Sequence, residues 1–199
     1  MCGIFALLNY RNEEDPVPNE EGEKDNSKSE TNTDKPPINK NSDQGFIKEQ
    51  FEKGQNRGPE FSEILLHEEE QFIQGFHRLA INGQTPESNQ PFFIKNCRLI
   101  CNGEIYNFRK LIAEYGLEND YKSQSDCEII IHLYRKLGIH ETVRRLDGVF
   151  GFVLHDYENG VTYVARDPVG VRSLFIGVSR HDGMFGSEYS DLMCVSLNP

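Results

Sequence analysis

The chain opens with MCGIFALL at residues 1–8, so a cysteine follows the initiator methionine and an apolar run follows the cysteine. Removal of Met1 would leave Cys2 with a thiol nucleophile and a free α-amine on the same residue. The amine titrates near pH ~8 and the thiol near pH ~8.5, so the amine can serve as the base for the thiol. The apolar run predicts a buried strand that fixes this terminus. The simpler alternative is an ordinary initiator methionine followed by a buried structural cysteine.

The overall composition limits the class of protein. With 199 residues, of which 37% are hydrophobic, the chain is long enough for one sizeable domain with its own core. No stretch approaches the roughly 20 apolar residues of a membrane span, and no basic segment precedes an apolar signal core. We therefore expect a soluble, cytoplasmic protein that binds no membrane. A net charge of −11 without a basic stripe argues against nucleic-acid binding.

The cysteines argue against a metal site. They are odd in number, widely scattered and without a CxxC pair: Cys2, Cys97, Cys101, Cys127 and Cys194. This spacing does not match that of zinc ligands, and reduced thiols in a cytosolic protein are the simpler interpretation. Cys97 and Cys101 flank a short apolar run and are predicted to be core residues.

Residues 12–43 differ in composition from the rest of the chain. They hold ten acidic residues and four lysines, which gives −6 of the total charge of −11. Val17 and Ile38 are their only large apolar residues, so the segment buries too little surface to offset its ordering entropy. We predict a disordered acidic insertion at about 12–43. The alternative is a loop that binds a partner or is phosphorylated.

Helical patterns concentrate in the middle of the chain. GFIKEQFEKG at residues 45–54 predicts a short amphipathic helix. A second helix is predicted between Asn107, a candidate N-cap, and Gly116, a candidate C-cap. SDCE at 125–128 is a capping-box pattern, and it opens a third helix whose apolar face runs over residues 130–137.

Strand patterns concentrate toward both ends of the chain. The clearest hairpin signal is Asn159-Gly160, and Asp182-Gly183 predicts a second hairpin. The predicted strands outside the N-terminal run cover residues 63–67, 71–76, 98–101, 149–155, 161–165, 174–178 and 184–186. This arrangement favours a layered α+β fold with antiparallel sheets.

Four segments place polar residues at the ends of predicted strands and helices. They are residues 1–5, FHRLAI at 76–81, CNGEIYN at 101–107 and SDCE at 125–128. Together with RDPVG at 166–170, which is interpreted as a strand-end turn, they resemble the class II glutamine amidotransferases. Those enzymes use an N-terminal nucleophile to release ammonia from glutamine. RLAI, NGEIYN and SDCE look most like the glutaminase domain of asparagine synthetase.

The resemblance covers nearly the whole chain outside the acidic insertion. It implies a four-layer αββα sandwich of the N-terminal-nucleophile hydrolase type, with two antiparallel sheets between helical layers. It also implies one glutamine amidotransferase type-2 domain over residues 2–199. Asparagine synthetases continue into a domain that adenylates aspartate, and its Ser-Gly-Gly-x-Asp-Ser loop is absent here. The resemblance therefore implies no cofactor for this domain, with ATP and magnesium expected only for the missing synthetase domain.

The resemblance implies three catalytic residues. Cys2 would attack the amide carbon of glutamine, with its own α-amine as base. The side-chain amide of Asn102 and the backbone N–H of Gly103 would hold the oxyanion. Asn102 is expected at the end of an apolar strand, and Gly103 lets the backbone approach the substrate closely.

Five further residues are expected to bind the amino-acid part of glutamine. Arg78 suits the α-carboxylate, because a guanidinium binds carboxylates through two parallel hydrogen bonds. Asp126 suits the α-ammonium, and its position in a first helical turn is expected to keep it ionised. Glu104 is expected near the same ammonium, and the carbonyl of Ile81 or Asn82 adds an acceptor.

Each of these residues also has an ordinary structural interpretation. Arg78 alone would be a surface ion pair, Asp126 a helix-start residue, and Asn102-Gly103 a turn. The hypothesis of a glutaminase that supplies ammonia to a synthetase domain or subunit rests on their occurrence together with Cys2. The alternatives are a non-catalytic relic that senses glutamine or binds a partner, and an N-terminal-nucleophile hydrolase acting on another amide.

Overall fold

Two antiparallel sheets with helices on both outer faces make up the fold. The computed structural model describes residues 2–8, 40–67, 72–180 and 190–196. Its elements are, in chain order, β1 Gly3–Leu8, α1 Lys40–Glu52, β2 Phe61–His67, β3 Phe72–Arg78, β4 Phe92–Ile94, β5 Cys97–Ile105, α2 Phe108–Tyr115, α3 Ile129–Leu137, α4 Ile139–Arg145, β6 Gly148–Asp156, β7 Val161–Arg166, β8 Phe175–Arg180 and β9 Ser190–Ser196.

The N-terminal strand lies at the centre of its sheet. The five-stranded sheet has the order β2-β3-β1-β9-β8, and the four-stranded sheet has the order β4-β5-β6-β7. β1 therefore pairs on both edges, with Gly3 opposite His77 of β3 and Ile4 opposite Ser196 of β9. The prediction of a buried strand behind residue 2 is confirmed, since Ile4 and Ala6 are 2% and 0% exposed.

The layers stack in the predicted αββα order. α1 covers the outer face of the five-stranded sheet, where the Phe51 ring stacks on His77 with centroids 3.9 Å apart. Gly75 lets this ring lie against the sheet, because a Cβ there would come within 2.5 Å of it and force it to move. The outer face of the four-stranded sheet packs on helices α2, α3 and α4. Between the sheets lies a smaller apolar cluster: Ile4, Ala6, Phe72, Phe76, Ile100 and Val153.

Most predicted elements are confirmed, and their ends differ from the pattern-based boundaries. The first helix extends from residue 45 back to Lys40, so it includes the last four residues of the predicted insertion. The rest of that insertion, residues 12–39, lies outside the described residues. The predicted strand at 184–186 and its turn also lie outside them, and β8 pairs with β9.

Two predicted helix caps differ from what the sequence pattern suggested. The Asn107 side chain accepts no backbone N–H of α2. It instead holds the link between α4 and β6: Nδ2 donates to the Arg145 carbonyl at 2.8 Å, and Oδ1 accepts the Asp147 N–H at 3.0 Å. Neither reciprocal bond of the capping box forms, since Ser125 Oγ accepts the Cys127 N–H and the Glu128 carboxylate accepts the N–H groups of Lys122 and Ser123. Gly116 ends α2 in the left-handed region as predicted, with φ 62°.

The two cysteines that flank the short apolar run of β5 are buried. Cys97 and Cys101 are 0% and 1% exposed, which confirms them as core residues. Within the described part of the chain, no helix is long and apolar enough to span a membrane.

Candidate active site

The C-terminal end of β3, the start of β1, the second half of β5 and the turn before α3 meet around one cleft. Its volume is about 460 Å³ with the mouth included. All eight residues predicted from the sequence line it: Cys2, Arg78, Ile81, Asn82, Asn102, Gly103, Glu104 and Asp126. They come from four segments far apart in the chain, so the fold brings together what the sequence keeps separate.

Cys2 lies at the start of the central strand, beside the end of β3. Its thiol donates a hydrogen bond to the Leu79 carbonyl, with Sγ and O 3.4 Å apart. Burial raises the pKa of the Cys2 thiol above its ordinary value. A neutral thiol is a poor nucleophile, so attack on an amide from this position requires a base next to the sulfur.

Arg78 is a nearly buried guanidinium, 8% exposed, whose acceptors are all neutral oxygens. Nη1 donates to Asn89 Oδ1 at 2.6 Å and to the Thr85 carbonyl at 3.4 Å. Nη2 donates to the carbonyls of Asn82, at 3.5 Å, and Gly83. Among the described residues no carboxylate pairs with it. A buried cation with only neutral partners favours an anionic ligand.

Asp126 faces the cleft from the first residue of a 3₁₀ turn, Asp126–Glu128, and is 3% exposed. Its Oδ2 accepts the Ile105 N–H at 2.5 Å, and Oδ1 accepts Asn82 Nδ2 at 3.4 Å. The expectation that its place in a first helical turn keeps it ionised stays a prediction, and burial of the carboxyl opposes it. Burial raises the pKa of Asp126, and these hydrogen bonds lower the pKa by less. A ligand cation beside the carboxylate would favour the ionised form.

Asn102 and Gly103 lie inside β5 and not at its end, which corrects the sequence-based expectation. β5 continues to Ile105 in antiparallel pairing with β6. The need for glycine at 103 comes from that neighbour, since a Cβ would lie 2.2 Å from the Val149 carbonyl oxygen. Asn102 is 1% exposed and its side chain borders the cleft.

Ile81 and Asn82 form the rim beyond Arg78. Ile81 is 53% exposed and borders the cleft. Asn82 connects the two charged groups, because its carbonyl accepts from Arg78 and its side-chain amide donates to Asp126. The predicted acceptor at Asn82 is therefore already shared with Arg78.

Glu104 has a partner that sequence reasoning missed. Arg172 Nη2 lies 4.0 Å from Glu104 Oε1, and Arg172 also lines the cleft. The turn after β7 delivers this arginine: buried Asp167 accepts the N–H groups of Gly170, Val171 and Arg172. Asp167 thus has the structural role predicted for it, and RDPVG was the signal that could have led two residues further to Arg172.

A second group of missed residues lies in the segment that follows Asn82. Gln90 mimics a strand neighbour of β5, with Oε1 2.6 Å from the Cys101 N–H and Nε2 3.2 Å from its carbonyl. Ser88 Oγ accepts the Gln124 N–H at 3.1 Å. Both are isolated polar residues in an irregular segment, so no periodic pattern in the sequence predicts their position at the cleft.

The described residues include no group of three or more His, Cys, Asp or Glu side chains placed to hold a metal. The absence of a cofactor from this domain stays a prediction.

An αββα sandwich whose central strand starts at a cysteine inside a polar cleft defines the class of N-terminal-nucleophile amidohydrolases. The sequence comparison places the chain within this class. The family model described as "Glutamine amidotransferase domain" matches residues 37–198, and the chain belongs to that family.

Individual relatives agree with the family assignment. The chain is 45% identical over 115 residues to the glutamine-hydrolysing asparagine synthetase of Gallus gallus, covering 56% of the chain and 20% of the relative. It is 36% identical over 145 residues to the glutamine-hydrolysing asparagine synthetase B of Escherichia coli strain K12, covering 70% of the chain and 25% of the relative. A probable asparagine synthetase of Acanthamoeba polyphaga mimivirus is 38% identical over 140 residues, 68% of the chain and 25% of the relative. The chain spans only about a quarter or less of these relatives' length.

Proposed function

We propose that this chain hydrolyses glutamine to glutamate and ammonia through a thioester on Cys2. One observation carries the proposal: the eight residues selected from scattered motifs border a single cleft. Each of them alone has an ordinary structural explanation, but a nucleophile, an amide donor, a buried cation and a buried carboxylate in one cleft suit a free amino acid with a side-chain amide.

The amino-acid part of glutamine would bind between Arg78 and Asp126. The α-carboxylate supplies the anion that Arg78 lacks among the described residues, and the α-ammonium supplies a cation for Asp126. Both protein groups are nearly buried, at 8% and 3% exposure, so these pairs form away from bulk water and are strong. Glu104 adds negative charge on the ammonium side.

The chemistry would begin once Met1 is removed. The α-amine of Cys2 takes the thiol proton, and the thiolate sulfur attacks the amide carbon. The oxyanion accepts hydrogen bonds from the Asn102 side-chain amide and the Gly103 N–H. The intermediate expels ammonia, which takes its extra proton from the α-ammonium, and leaves a thioester. The amine then activates a water molecule, which hydrolyses the thioester to glutamate and free thiol.

The ammonia would pass to a synthetase domain or subunit that makes asparagine, as the names of the relatives suggest. ATP and magnesium would be needed by that partner and not by this domain. We propose residues 2–199 as the glutaminase unit of such a pair, in the cytoplasm.

The proposal is tested by measuring the intact mass before and after treatment with 6-diazo-5-oxo-L-norleucine, a reactive glutamine analogue. Loss of Met1 and one adduct that maps to Cys2 are expected, together with ammonia release from glutamine. The Cys2→Ala variant is the control and should take up no adduct. A processed chain that forms no adduct and releases no ammonia would contradict the proposal. Stoichiometric glutamine binding without turnover would then identify a glutamine-sensing domain.

The partner proposal needs its own experiment. The chain is mixed with the synthetase part of the Gallus gallus relative, aspartate, ATP, magnesium, amide-¹⁵N glutamine and excess unlabelled ammonium. Asparagine richer in ¹⁵N than the free ammonium pool indicates direct transfer between the two. Asparagine with the isotope content of the pool would contradict a channelled partnership.

A further inference from the structure

Three buried carboxylates each hold a loop by accepting backbone N–H groups. Asp156 holds the turn after β6, Asp167 holds the turn after β7, and Glu128 holds residues 122–125 ahead of α3. Glu128 is 0% exposed and does not border the cleft. Its place in the predicted capping box gave it only a helix-start role.

Glu128 turns back onto the segment that precedes it. Oε1 accepts the Lys122 N–H at 2.9 Å, Oε2 accepts the Ser123 N–H at 2.6 Å, and His132 Nε2 lies 2.9 Å from Oε1. Burial on its own would raise the pKa of Glu128, but these hydrogen bonds outweigh it and lower the pKa below its ordinary value. The buried carboxylate is therefore ionised at neutral pH, and both of its oxygens accept hydrogen bonds.

The segment held by Glu128 leads directly to the cleft. Ser123 Oγ accepts the Ser125 N–H at 3.2 Å, and Ser125 Oγ accepts the Cys127 N–H at 3.4 Å. Asp126 lies within this hydrogen-bonded segment, two residues before Glu128, whose carboxylate anchors the segment. A displacement of residues 122–125 would therefore move the carboxylate that faces the cleft.

We infer that Glu128 is a positioning residue for substrate binding, which holds residues 122–125 so that Asp126 faces the ammonium group of the amino-acid substrate. The inference rests on the proposed function, since that proposal gives Asp126 its ligand. Glu128 acts through Asp126 and touches neither the substrate nor Cys2.

The expected effect is a rise in KM with little change in kcat. Glu128→Gln keeps the size of the side chain, but it sets an NH₂ group against a backbone N–H in place of an acceptor oxygen. A misplacement of about 1 Å can cost about 100-fold, and here it would fall on a binding group, so KM for glutamine should rise about 10- to 100-fold. kcat should stay within about threefold, because Cys2, Asn102 and Gly103 lie on other elements.

Steady-state kinetics of the full processed chain test this, with Asp156→Asn as the matched control. Asp156 is also 0% exposed and also accepts two backbone N–H groups, of Glu158 and Asn159, but it lies at the far end of the β5–β6 pair. Asp156→Asn should lower Tm as Glu128→Gln does and leave KM within about twofold. If Glu128→Gln does not fold, Glu128→Asp replaces it, because the shorter side chain keeps the charge and cannot reach both N–H groups.

A second readout separates positioning from general loosening. Iodoacetamide alkylates Cys2 without needing an amino-acid site, so its rate constant should be the same in Glu128→Gln and in the wild type. Unchanged KM in the Glu128 variants overturns the inference. An equal rise of KM in Asp156→Asn, or a parallel loss of alkylation rate, also overturns it.

The outcomes distinguish this inference from the proposed function. Wild-type turnover with an unaltered KM in Glu128→Gln overturns the inference alone. If the wild type binds glutamine without hydrolysing it, calorimetric Kd replaces KM and must weaken by the same factor. A wild-type chain that neither hydrolyses nor binds glutamine overturns both.

Discussion

The helix-covered face of the four-stranded sheet and the cleft are both buried, and they differ in what fills them. Under α3 the side chains are apolar, and Ile130 and Leu133 are both 0% exposed. In the cleft Arg78, Asn102 and Asp126 are nearly as well buried and are polar or charged. Each fully buried apolar side chain stabilises the fold by about 1.5–3 kcal/mol, whereas a buried polar group costs free energy unless its hydrogen bonds are met. The helix-covered face of the sheet thus stabilises the fold, and this stabilisation offsets the free-energy cost of burying polar groups in the cleft.

The variant with the largest expected effect disables the cleft and leaves the core intact. Cys2→Ala removes the proposed nucleophile, so glutaminase kcat should fall by about 10³-fold or more. Tm should stay unchanged within about 1 °C, because Cys2 is only partly buried and β1 keeps both strand neighbours. Ammonia release and a thermal melt of the same sample check this, and residual turnover near the wild-type rate would exclude Cys2 as the nucleophile.

Removal of the proposed oxyanion donor should have the next largest effect. Asn102→Ala should lower kcat about 100- to 1000-fold, since one donor to the oxyanion is lost. KM should change much less, because the α-carboxylate and α-ammonium are held by other residues. The measurement is steady-state glutaminase kinetics, and a KM effect with normal kcat would assign Asn102 to ground-state binding.

The opposite experiment breaks the core and leaves the cleft intact. Leu133→Ala should lower the free energy of unfolding by about 2–5 kcal/mol through lost burial and a cavity. KM should not change while the protein remains folded. Val169→Ala is the control, because Val169 is 84% exposed and its change should stay within about 0.5 kcal/mol. Urea denaturation of the two variants measures the contrast, and equal midpoints would show that α3 is not part of the core.

Two glutamines sharpen the comparison, because both are buried and only one is bonded. Gln74, 0% exposed between the sheets, has no hydrogen-bond partner for either amide atom among the described residues, whereas Gln90 bonds both to Cys101. Gln74→Met should therefore raise the free energy of unfolding by about 1–3 kcal/mol, and Gln90→Met should lower it. Equal effects on the two urea midpoints would mean that the hydrogen bonds of Gln90 contribute nothing.

The smallest expected effect concerns His77, which lies on the face of β3 that packs against α1. His77, against α1, has Nδ1 2.7 Å from Ser62 Oγ and Nε2 2.7 Å from the Phe51 carbonyl. Burial lowers the pKa of His77 below that of the unfolded chain, although the bond to Phe51 opposes this. The stability linked to the neutral ring is full above about pH 6.5 and is lost as pH falls through the lower folded value. Thermal melts from pH 7 to 5 should show this decline, and His77→Gln should flatten it.

The sequence predicted the core by spacing and the cleft only by motif. Alternating and helical patterns located β6, β7 and α3 within a few residues, because burial of one face imposes a period. They did not predict that Ile129, Ile131 and His132 are buried as well, which follows from the packing of neighbouring helices on α3. Whole-fold contacts of this kind leave no local period in the sequence.

The cleft shows the other limit of sequence reasoning. Motifs identified Arg78 and Asp126, but Arg172 and Gln90 escaped because each depends on a loop whose course is set elsewhere in the fold. The strand around Asn102 was placed too short, since a polar residue in a strand resembles its end. The change of Asp126 toward a higher pKa was also missed, because burial cannot be read from a helix-start pattern.

The pairing of β1 with β9 has a consequence for how the protein is made. Residues 4–8 pair with residues 192–196, so β1 leaves the ribosome well before β9, the strand that covers its second edge. At about 5–20 residues per second, that interval is about 10–40 s. During it, an apolar strand edge is open to other chains, and pairing over so long a sequence separation is slow. β1, which follows the proposed nucleophile, is thus translated long before its second edge is enclosed, which makes translation rate and chaperone supply determinants of the yield of folded protein.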